Sequence, residues 1–371
     1  MRILHIEAGR HLYGGAAQVR YLIDGLSAAR VDNVLVCPPG SALAARPPTG
    51  QIAPVAMSGE LDVGMLPRLV RTIRLAQPDL VHVHSRRGAD LYGGLAAVMA
   101  GVPTVLTRRV DAAEPKWLAR LKYRPYAVVV ALSRAIEAQL AAAGIDDTRC
   151  ARIPSAVDTA MYRPDPAARE RVLSAFGLRN DALVVAVVAQ LIERKGHLRL
   201  LPLLPELARA EPRLRVVCLG RGPLKQRLER AVAERGLSHI VTLAGFRDDL
   251  PRLMPGFDMV VHPAEREGLG LALLEAAAAG VPVVACAAGG VPEIVEHDAT
   301  GLLAPVGDAA ALQDAIARLI AAPEGRKRLG AAARARAERR FGVADLVAAH
   351  VSLYERVLGE SAARVARPVS R

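Results

Sequence analysis

At 371 residues, with 52% hydrophobic and 23% charged residues, the chain is too long for one ordinary core and too apolar to be disordered, so two folded domains are expected. Its four cysteines, Cys37, Cys150, Cys218 and Cys286, lie far apart with no CxxC pair, which argues against structural zinc and a disulfide framework. A net charge of +12 favours anionic partners (nucleic acid, acidic lipid or phosphorylated substrates), or else reflects an arginine-rich proteome, and by itself does not choose among them.

The N-terminal stretch from Met1 to Glu7 reads as a strand, because it lacks the long apolar segment of a secretion signal. No run reaches the ~18 apolar residues of a membrane span. The nearest, Leu271 to Cys286, is broken by Glu275, Gly280 and Pro282. A soluble cytoplasmic protein is expected, with a peripheral place on the inner face of the membrane as an option.

Strand-length apolar runs then alternate with amphipathic stretches. Strands are expected at Arg2–Ile6, Val34–Cys37, Leu80–His84, Thr104–Leu106, Ala127–Ala131 and Ala151–Ile153. A second series follows at Leu183–Val188, Arg215–Leu219, Ile240–Leu243, Met259–Val261 and Val281–Ala285. Many are continuously apolar, as strands buried on both faces should be. Helices are expected at Ala16–Ala29, Leu66–Ala76, Arg134–Ala143, Leu224–Arg235 and Ala309–Ala321. Alternating β and α implies an α/β protein with two doubly wound parallel sheets. The prolines of Met161-Tyr-Arg-Pro-Asp-Pro166 mark the boundary, giving domains at 1–163 and 164–342. A last helix near Val343–Leu358 and a frayed tail, Ser361–Arg371, complete the chain.

The strand-end loops hold the residues able to do chemistry. Gly9 to Gln18 carries the pair Gly14-Gly15 at a helix start, which suits close approach to an anion or a plain tight turn. Val81-His-Val-His-Ser-Arg-Arg87 places His82 and His84 on one side of a strand, for hydrogen bonding or, with no third ligand nearby in the sequence, for metal. Arg108 and Arg109 end the next strand, where they form either a phosphate or carboxylate clamp or a solvated rim. In the second half, Gln190 to His197 brings Lys195-Gly196 to a helix start. Gly220-Arg-Gly222 and Gly245-Phe246-Arg247 follow later strands. The segment Glu267-Gly-Leu-Gly-Leu-Ala-Leu-Leu-Glu275 sets a glycine turn and a helix N-terminus between two carboxylates. Helix-terminal amides suit phosphate and carboxylates hold hydroxyls, so the pattern fits a nucleotide-sugar. No D-x-D cluster stands out, and Asp248-Asp249 reads as a helix cap or solvated turn, so no metal is invoked. Lys116 to Arg124 mixes cations with apolar residues, as either an anionic lipid surface or a helix packed on the first domain.

In this order the motifs resemble the large retaining glycosyltransferase family 4, with the GT-B fold of two Rossmann-like domains facing a central cleft. The pieces are the Gly-Gly loop, IPSAVD at Ile153–Asp158 where the family often has PNGVD, ERKG, LGRGPL and the E-x7-E pair Glu267 and Glu275. GVPVVA, AGGVPEIVE at Ala288–Glu296 and TGLLAPVGD at Thr300–Asp308 complete the set.

The resemblance implies that Glu267 contacts the donor sugar, that Gly268, Leu269 and Gly270 offer amides to sugar and diphosphate, and that Glu275 holds the ribose. Lys195 would neutralise the leaving diphosphate. Gly14 and Gly15 would line the cleft from an N-terminal acceptor domain, Gln190 would stand at the phosphate, and Gly245, Phe246 and Arg247 would meet the base. His84, Arg108 and Arg109 fall to the acceptor, with Arg109 also catalytic beside Glu267 and Lys195. The final helix would cross back to brace the first domain. Gln190 stands where the family usually has arginine, Arg109 where many members have histidine, and Ser155-Ala156 where Asn-Gly is common. The implied co-substrate is a UDP- or GDP-sugar with no tightly bound cofactor, and the implied acceptor is a cell-envelope glycolipid or lipopolysaccharide core. A nucleotide-sugar epimerase of the same shape and a nucleic-acid binder are the alternatives, the latter weakened by only 3% aromatic residues. An NAD oxidoreductase lacks its G-x-G-x-x-G fingerprint.

Overall fold

The computed structural model describes residues 1–11, 14–86, 88–111 and 114–366. Leu12 and Tyr13 of the first glycine loop, Arg87 of the histidine motif and Arg367–Arg371 of the expected tail lie outside these residues. The chain forms two compact units: Met1–Ala156 together with the chain from Val343 on, and Val157–Gly342.

The first unit is built on seven parallel strands: β1 (Arg2–Ile6), β2 (Asp32–Cys37), β3 (Gln51–Pro54), β4 (Leu80–Val83), β5 (Thr104–Arg108), β6 (Val128–Ala131) and β7 (Cys150–Arg152). Their order is β3-β2-β1-β4-β5-β6-β7, so the winding reverses between β1 and β4. Those two strands pair in register, His5 opposite His82 and Ile6 opposite Val83. Helix Val343–Ala366 contributes Leu346, Val347, Leu353, Tyr354 and Val357 to the same core as Ile3, Leu22, Leu26 and Val105. Burial of these apolar faces fixes the last helix in this unit. It runs to Ala366, past the point where fraying was expected from Ser361.

The second unit holds β8 (Leu183–Val188), β9 (Leu214–Leu219), β10 (Val241–Gly245), β11 (Met259–His262), β12 (Val283–Cys286) and β13 (Gly301–Ala304) in the order β10-β9-β8-β11-β12-β13. Its winding reverses between β8 and β11, where Met259 lies opposite Val185. In doubly wound sheets, ligands bind outside the carboxyl ends of strands at such a reversal.

The unit boundary falls at Ala156/Val157, earlier than the proline-rich stretch suggested. The Val157 N–H donates to Phe341 O at 2.8 Å, and Arg334 reaches Tyr162 O at 3.4 Å, so this segment is bound into the second unit. Two strands escaped the sequence reading: β3, a four-residue edge strand ending in proline, and β13, a four-residue edge strand opening on glycine. Helix Ala89–Ala100 was hidden by Gly93-Gly94, which reads as a turn. A Cβ on Gly94 would lie 2.8 Å from the Tyr126 ring, so the glycines mark close packing within a helix. Pro323–Arg340 is arginine-rich with a weak apolar stripe, and it too went unread.

Candidate functional site

In the second unit, the loops after β8 and β11 meet at the reversal of winding. Gly196 takes a left-handed φ of +76°, and a Cβ there would lie 1.9 Å from Pro263 O. Only glycine allows that approach. The Glu265 N–H donates to Arg194 O at 3.0 Å, and the Arg194 guanidinium donates to Arg266 O at 3.2 Å.

This contact assembles a buried polar cluster. Lys195 Nζ donates to Glu267 Oε2. His262, the last residue of β11, shares that oxygen through Nε2 at 2.8 Å. The Gly268 N–H donates to Glu267 Oε1 at 3.1 Å. Lys195, Glu267 and His262 are only 9%, 8% and 2% exposed, so their charges act with little screening. Burial opposes ionisation of Glu267, but the His262 hydrogen bond and the Lys195 charge overcome it and hold the carboxyl well below the usual range. Burial lowers Lys195, with Glu267 offsetting part of the effect. Burial also lowers His262, which is therefore neutral near pH 7 and donates from Nε2.

Glu275 lies in helix Leu271–Ala278, whose N-cap is Gly270 at φ 104°. Burial pushes its carboxyl up to about 7, partly offset by a hydrogen bond from the Tyr162 hydroxyl. Gln190 is half-buried on the loop after β8. The Gly245-Phe246-Arg247 segment follows β10, two strands from the reversal. Arg247 pairs with both oxygens of Asp249, at 2.7 and 2.6 Å, and stands over the Phe176 ring; Arg221 covers Phe246. Asp249 does occupy an N-cap position, but its side chain makes no cap hydrogen bond and pairs with Arg247 instead.

In the first unit, Gly14 and Gly15 open helix Gly14–Ala28. A Cβ on Gly15 would lie 3.4 Å from Arg109 Cδ, so these two predicted residues are brought together. Burial lowers the Arg109 guanidinium to about 10, with Glu7 opposing. Arg109 also lines an open pocket with Ser85, Arg86, Thr107 and Arg108. Arg108 is different. Its guanidinium pairs with Glu114 at 3.3 Å and bonds Tyr123 Oη at 3.2 Å and Gln139 Oε1 at 3.1 Å. The two arginines are therefore not equivalent: both line the pocket, but the Arg108 guanidinium is held by Glu114, Tyr123 and Gln139.

His84 is buried, and its Nε2 lies 2.9 Å from His5 Nδ1. The Asn33 amide donates to Ser27 Oγ and Val31 O, leaving its oxygen to accept from His5 Nε2 at 3.0 Å. His84 Nε2–H therefore donates to His5, and His84 Nδ1 is a bare acceptor. The sequence offered no third imidazole beside His82 and His84. The β1–β4 pairing supplies His5, with one ring nitrogen of each within 4.8 Å. Both nitrogens of His82 are engaged, with Tyr354 Oη and Thr107 Oγ1 at 2.7 Å each, so the rings form a hydrogen-bonded network.

Sequence reasoning missed His262, His197 and Tyr162. The only available signal was position, since His262 ends a strand and His197 starts a helix beside the two active loops. Among the described residues, five buried side-chain nitrogens have no hydrogen-bond partner: His84 Nδ1, Arg109 Nε, His262 Nδ1 and both nitrogens of His197. Such orphans call for an explanation in a native fold.

Comparison with known proteins gives a consistent picture. Residues 13–161 match Glycosyltransferase Family 4, and residues 169–336 match Glycosyl transferases group 1. The GDP-mannose-dependent alpha-(1-6)-phosphatidylinositol monomannoside mannosyltransferase of Mycolicibacterium smegmatis is 35% identical over 216 residues, 56% of each chain. The chain thus spans about half the length of the mannosyltransferases it matches. The 2-deoxystreptamine N-acetyl-D-glucosaminyltransferase of Streptomyces fradiae is 30% identical over 311 residues, 78% of this chain and 73% of that one. The crystal structure of Anabaena Alr3699/HepE in complex with UDP and glucose shares the fold, with a TM-score of 0.84 at 22% identity over 96% of this chain and 100% of that one.

Proposed function

The chain belongs to the family 4 glycosyltransferases of GT-B fold, and on that premise we propose that it moves a sugar from a nucleoside diphosphate sugar to a hydroxyl acceptor with retention of anomeric configuration. The observation that carries the reading is the buried Lys195–Glu267–His262 cluster at the winding reversal of the second unit, beside a helix N-terminus and Glu275. UDP in the solved relative and GDP-mannose in the name of another support the donor class.

In this reading the bond between the anomeric carbon and the diphosphate oxygen breaks while the acceptor hydroxyl adds from the same face. The departing oxygen takes the hydroxyl proton. The chemical task is then to stabilise charge on the diphosphate, which falls to Lys195 and the N-terminal amides of helix Leu271–Ala278. Glu267 accepts hydroxyls of the transferred sugar and Glu275 those of the ribose. No step of this route passes through a metal ion.

The acceptor side belongs to the first unit, where Arg109 stands against Gly15 of the glycine pair and His84 holds a buried, unpartnered acceptor nitrogen. A membrane glycolipid or lipopolysaccharide core is the acceptor class we favour. Supporting it, Trp117 is 70% and Leu121 60% exposed on helix Lys116–Tyr123, beside exposed Lys116 and Arg120. Val98 and Met99 are exposed on helix Ala89–Ala100, which packs against it. Such a surface suits an anionic bilayer on the cytoplasmic side, and no helix among the described residues is long and apolar enough to cross a membrane.

A thermal-shift screen across UDP- and GDP-sugars tests the reading. A donor at 100 times its Kd should stabilise the fold by about 2.7 kcal/mol. No shift with any nucleotide-sugar, and no transfer to any glycolipid, would sink it.

A further inference from the structure

We infer that His262 is a positioning residue of the transfer site, which keeps Glu267 ionised and aimed at the sugar when Lys195 turns to the diphosphate. The inference rests on the donor reading above and adds a residue to it.

Among the described residues, Glu267 Oε2 has two donors, Lys195 and His262, while Oε1 receives only the adjacent Gly268 N–H. Lys195 is assigned to the diphosphate, and one ammonium cannot serve both partners equally. As it moves toward the stronger anion, a carboxylate that is only 8% exposed loses its cation. A buried carboxylate without compensation takes up a proton, and a protonated Glu267 no longer accepts from two sugar hydroxyls. His262 remains. It sits on a strand, paired in register with Ala285 of β12, so its Nε2 is held more rigidly than a loop side chain would be.

The tautomer follows from chemistry. A carboxylate only accepts, so Nε2 carries the hydrogen and Nδ1 is a bare lone pair, which has no partner. His262 helps burial disfavour charge on the nearby His197, and both nitrogens of His197 are likewise unpartnered. The groups facing His262 are Lys195, Arg194 and His197 from the loop after β8, and Glu267 from its own loop. Burial, with the Lys195 and Arg194 charges, keeps His262 neutral against the opposing pull of Glu267, so it orients Glu267 without cancelling its charge.

The test is a matched pair, His262→Gln and His262→Met. The side chains are similar in length and volume, but only glutamine offers an N–H where Nε2 stood. Steady-state kinetics with the donor sugar should be run from pH 5 to 9, together with the Kd of the free nucleoside diphosphate. The methionine variant should lose about 10- to 100-fold in kcat/KM for the donor, as expected for a misplaced reacting group. Its nucleotide Kd should stay within about twofold, since Glu275 and the phosphate site are intact, which also certifies folding. The acid limb of kcat, which reports the donor-bound enzyme in which Lys195 has turned to the diphosphate, should move to higher pH, because Glu267 has lost a donor that lowers its pKa, while the limb of kcat/KM stays with Glu275. Glutamine should restore most of the rate and the wild-type limb. Equal kcat/KM and equal pH profiles in the two variants overturn the inference. A rate that rises toward low pH in the wild type overturns it as well, since that would require imidazolium. A wild type that neither binds nor turns over any nucleotide-sugar fails the transferase reading instead.

Discussion

Glu275 gives the reading of the donor site its most quantitative test. Its carboxyl is pushed up to about 7 by burial, against the opposing hydrogen bond from Tyr162. If this group holds both ribose hydroxyls, the ionised form is the binding form. Half is ionised at about pH 7, roughly a tenth one unit lower, so donor affinity should fall about tenfold per pH unit below the midpoint. Tyr162→Phe removes the hydroxyl that favours the anion. A hydrogen bond to a charged group is worth about 1.5–3 kcal/mol, and one pKa unit is 1.36 kcal/mol, so the midpoint should rise by about one unit. At pH 7 the ionised fraction then drops from about a half to about a tenth, weakening donor binding about fivefold; above pH 9 the two proteins should bind alike. Calorimetry with an intact nucleotide-sugar is the assay, because its diphosphate diester does not titrate between pH 6 and 8. Stability moves oppositely. The folded-state pKa of Glu275 lies above the ordinary 4.5, so its charge costs nothing below that value and on the order of 3 kcal/mol once pH passes 7. Glu275→Gln should therefore raise the Tm of the unliganded protein at pH 8 while abolishing the pH dependence of donor binding. A midpoint unmoved in Tyr162→Phe, or a flat wild-type profile, refutes the reasoning.

Lys195→Ala should lower kcat by about 10²–10³, the usual loss on removing a transition-state charge donor. Glu267→Gln should instead be read in donor kcat/KM, and an unchanged value would remove that residue from the sugar site. Gly196→Ala should destabilise the second unit by more than ~1 kcal/mol, because the left-handed φ of +76° and the Pro263 carbonyl both exclude a Cβ; denaturant titration that finds wild-type stability would show that the loops separate more easily than argued. Flotation with vesicles rich in anionic lipid should carry the protein at low salt, and Trp117→Ser with Leu121→Ser should release it while transfer to a soluble acceptor persists. Retention of the double variant on the vesicles would move the membrane contact elsewhere.

The sequence carried the fold through continuously apolar strands such as Leu183–Val188 and Val283–Cys286, whose periodicity does not depend on partners. It also carried the spacing of Glu267 and Glu275 across a glycine turn, since one turn and one short helix fix that geometry locally. What it could not carry depends on pairing between distant segments. Lys195 looked like a free cation until the close packing of Gly196 on the Pro263 carbonyl, which leaves no room for a Cβ, set it against Glu267. Arg108 and Arg109 looked alike until Glu114 and Gln139 claimed the first and left the second beside Gly15. His5 became the third imidazole only through its register with His82. The unit boundary was misplaced for the same reason: Pro164 and Pro166 mark a bend in the chain, whereas the hydrogen bond from Val157 to Phe341 decides which core the segment joins.

The orphaned nitrogens tie these observations into one argument. A fold selected only for stability has no use for a buried imidazole with two unpartnered nitrogens, since an aliphatic side chain at His197 would avoid the desolvation cost. The five such atoms among the described residues are not scattered. His262 closes β11 and His197 follows the loop after β8, the two strands flanking the reversal in the second unit; His84 follows β4 at the reversal in the first, with Arg109 one strand further on. Each unit thus concentrates its unsatisfied hydrogen-bonding capacity at the strand ends where its own winding turns back, the place where a doubly wound sheet presents loops to a ligand. Hydroxyl-rich substrates both donate and accept, so loops at these strand ends, backed by buried polar side chains such as His84, Arg109 and His262, suit them. A sugar hydroxyl held at fixed geometry takes a defined orientation, which is what a transferase needs from the polar groups of such loops.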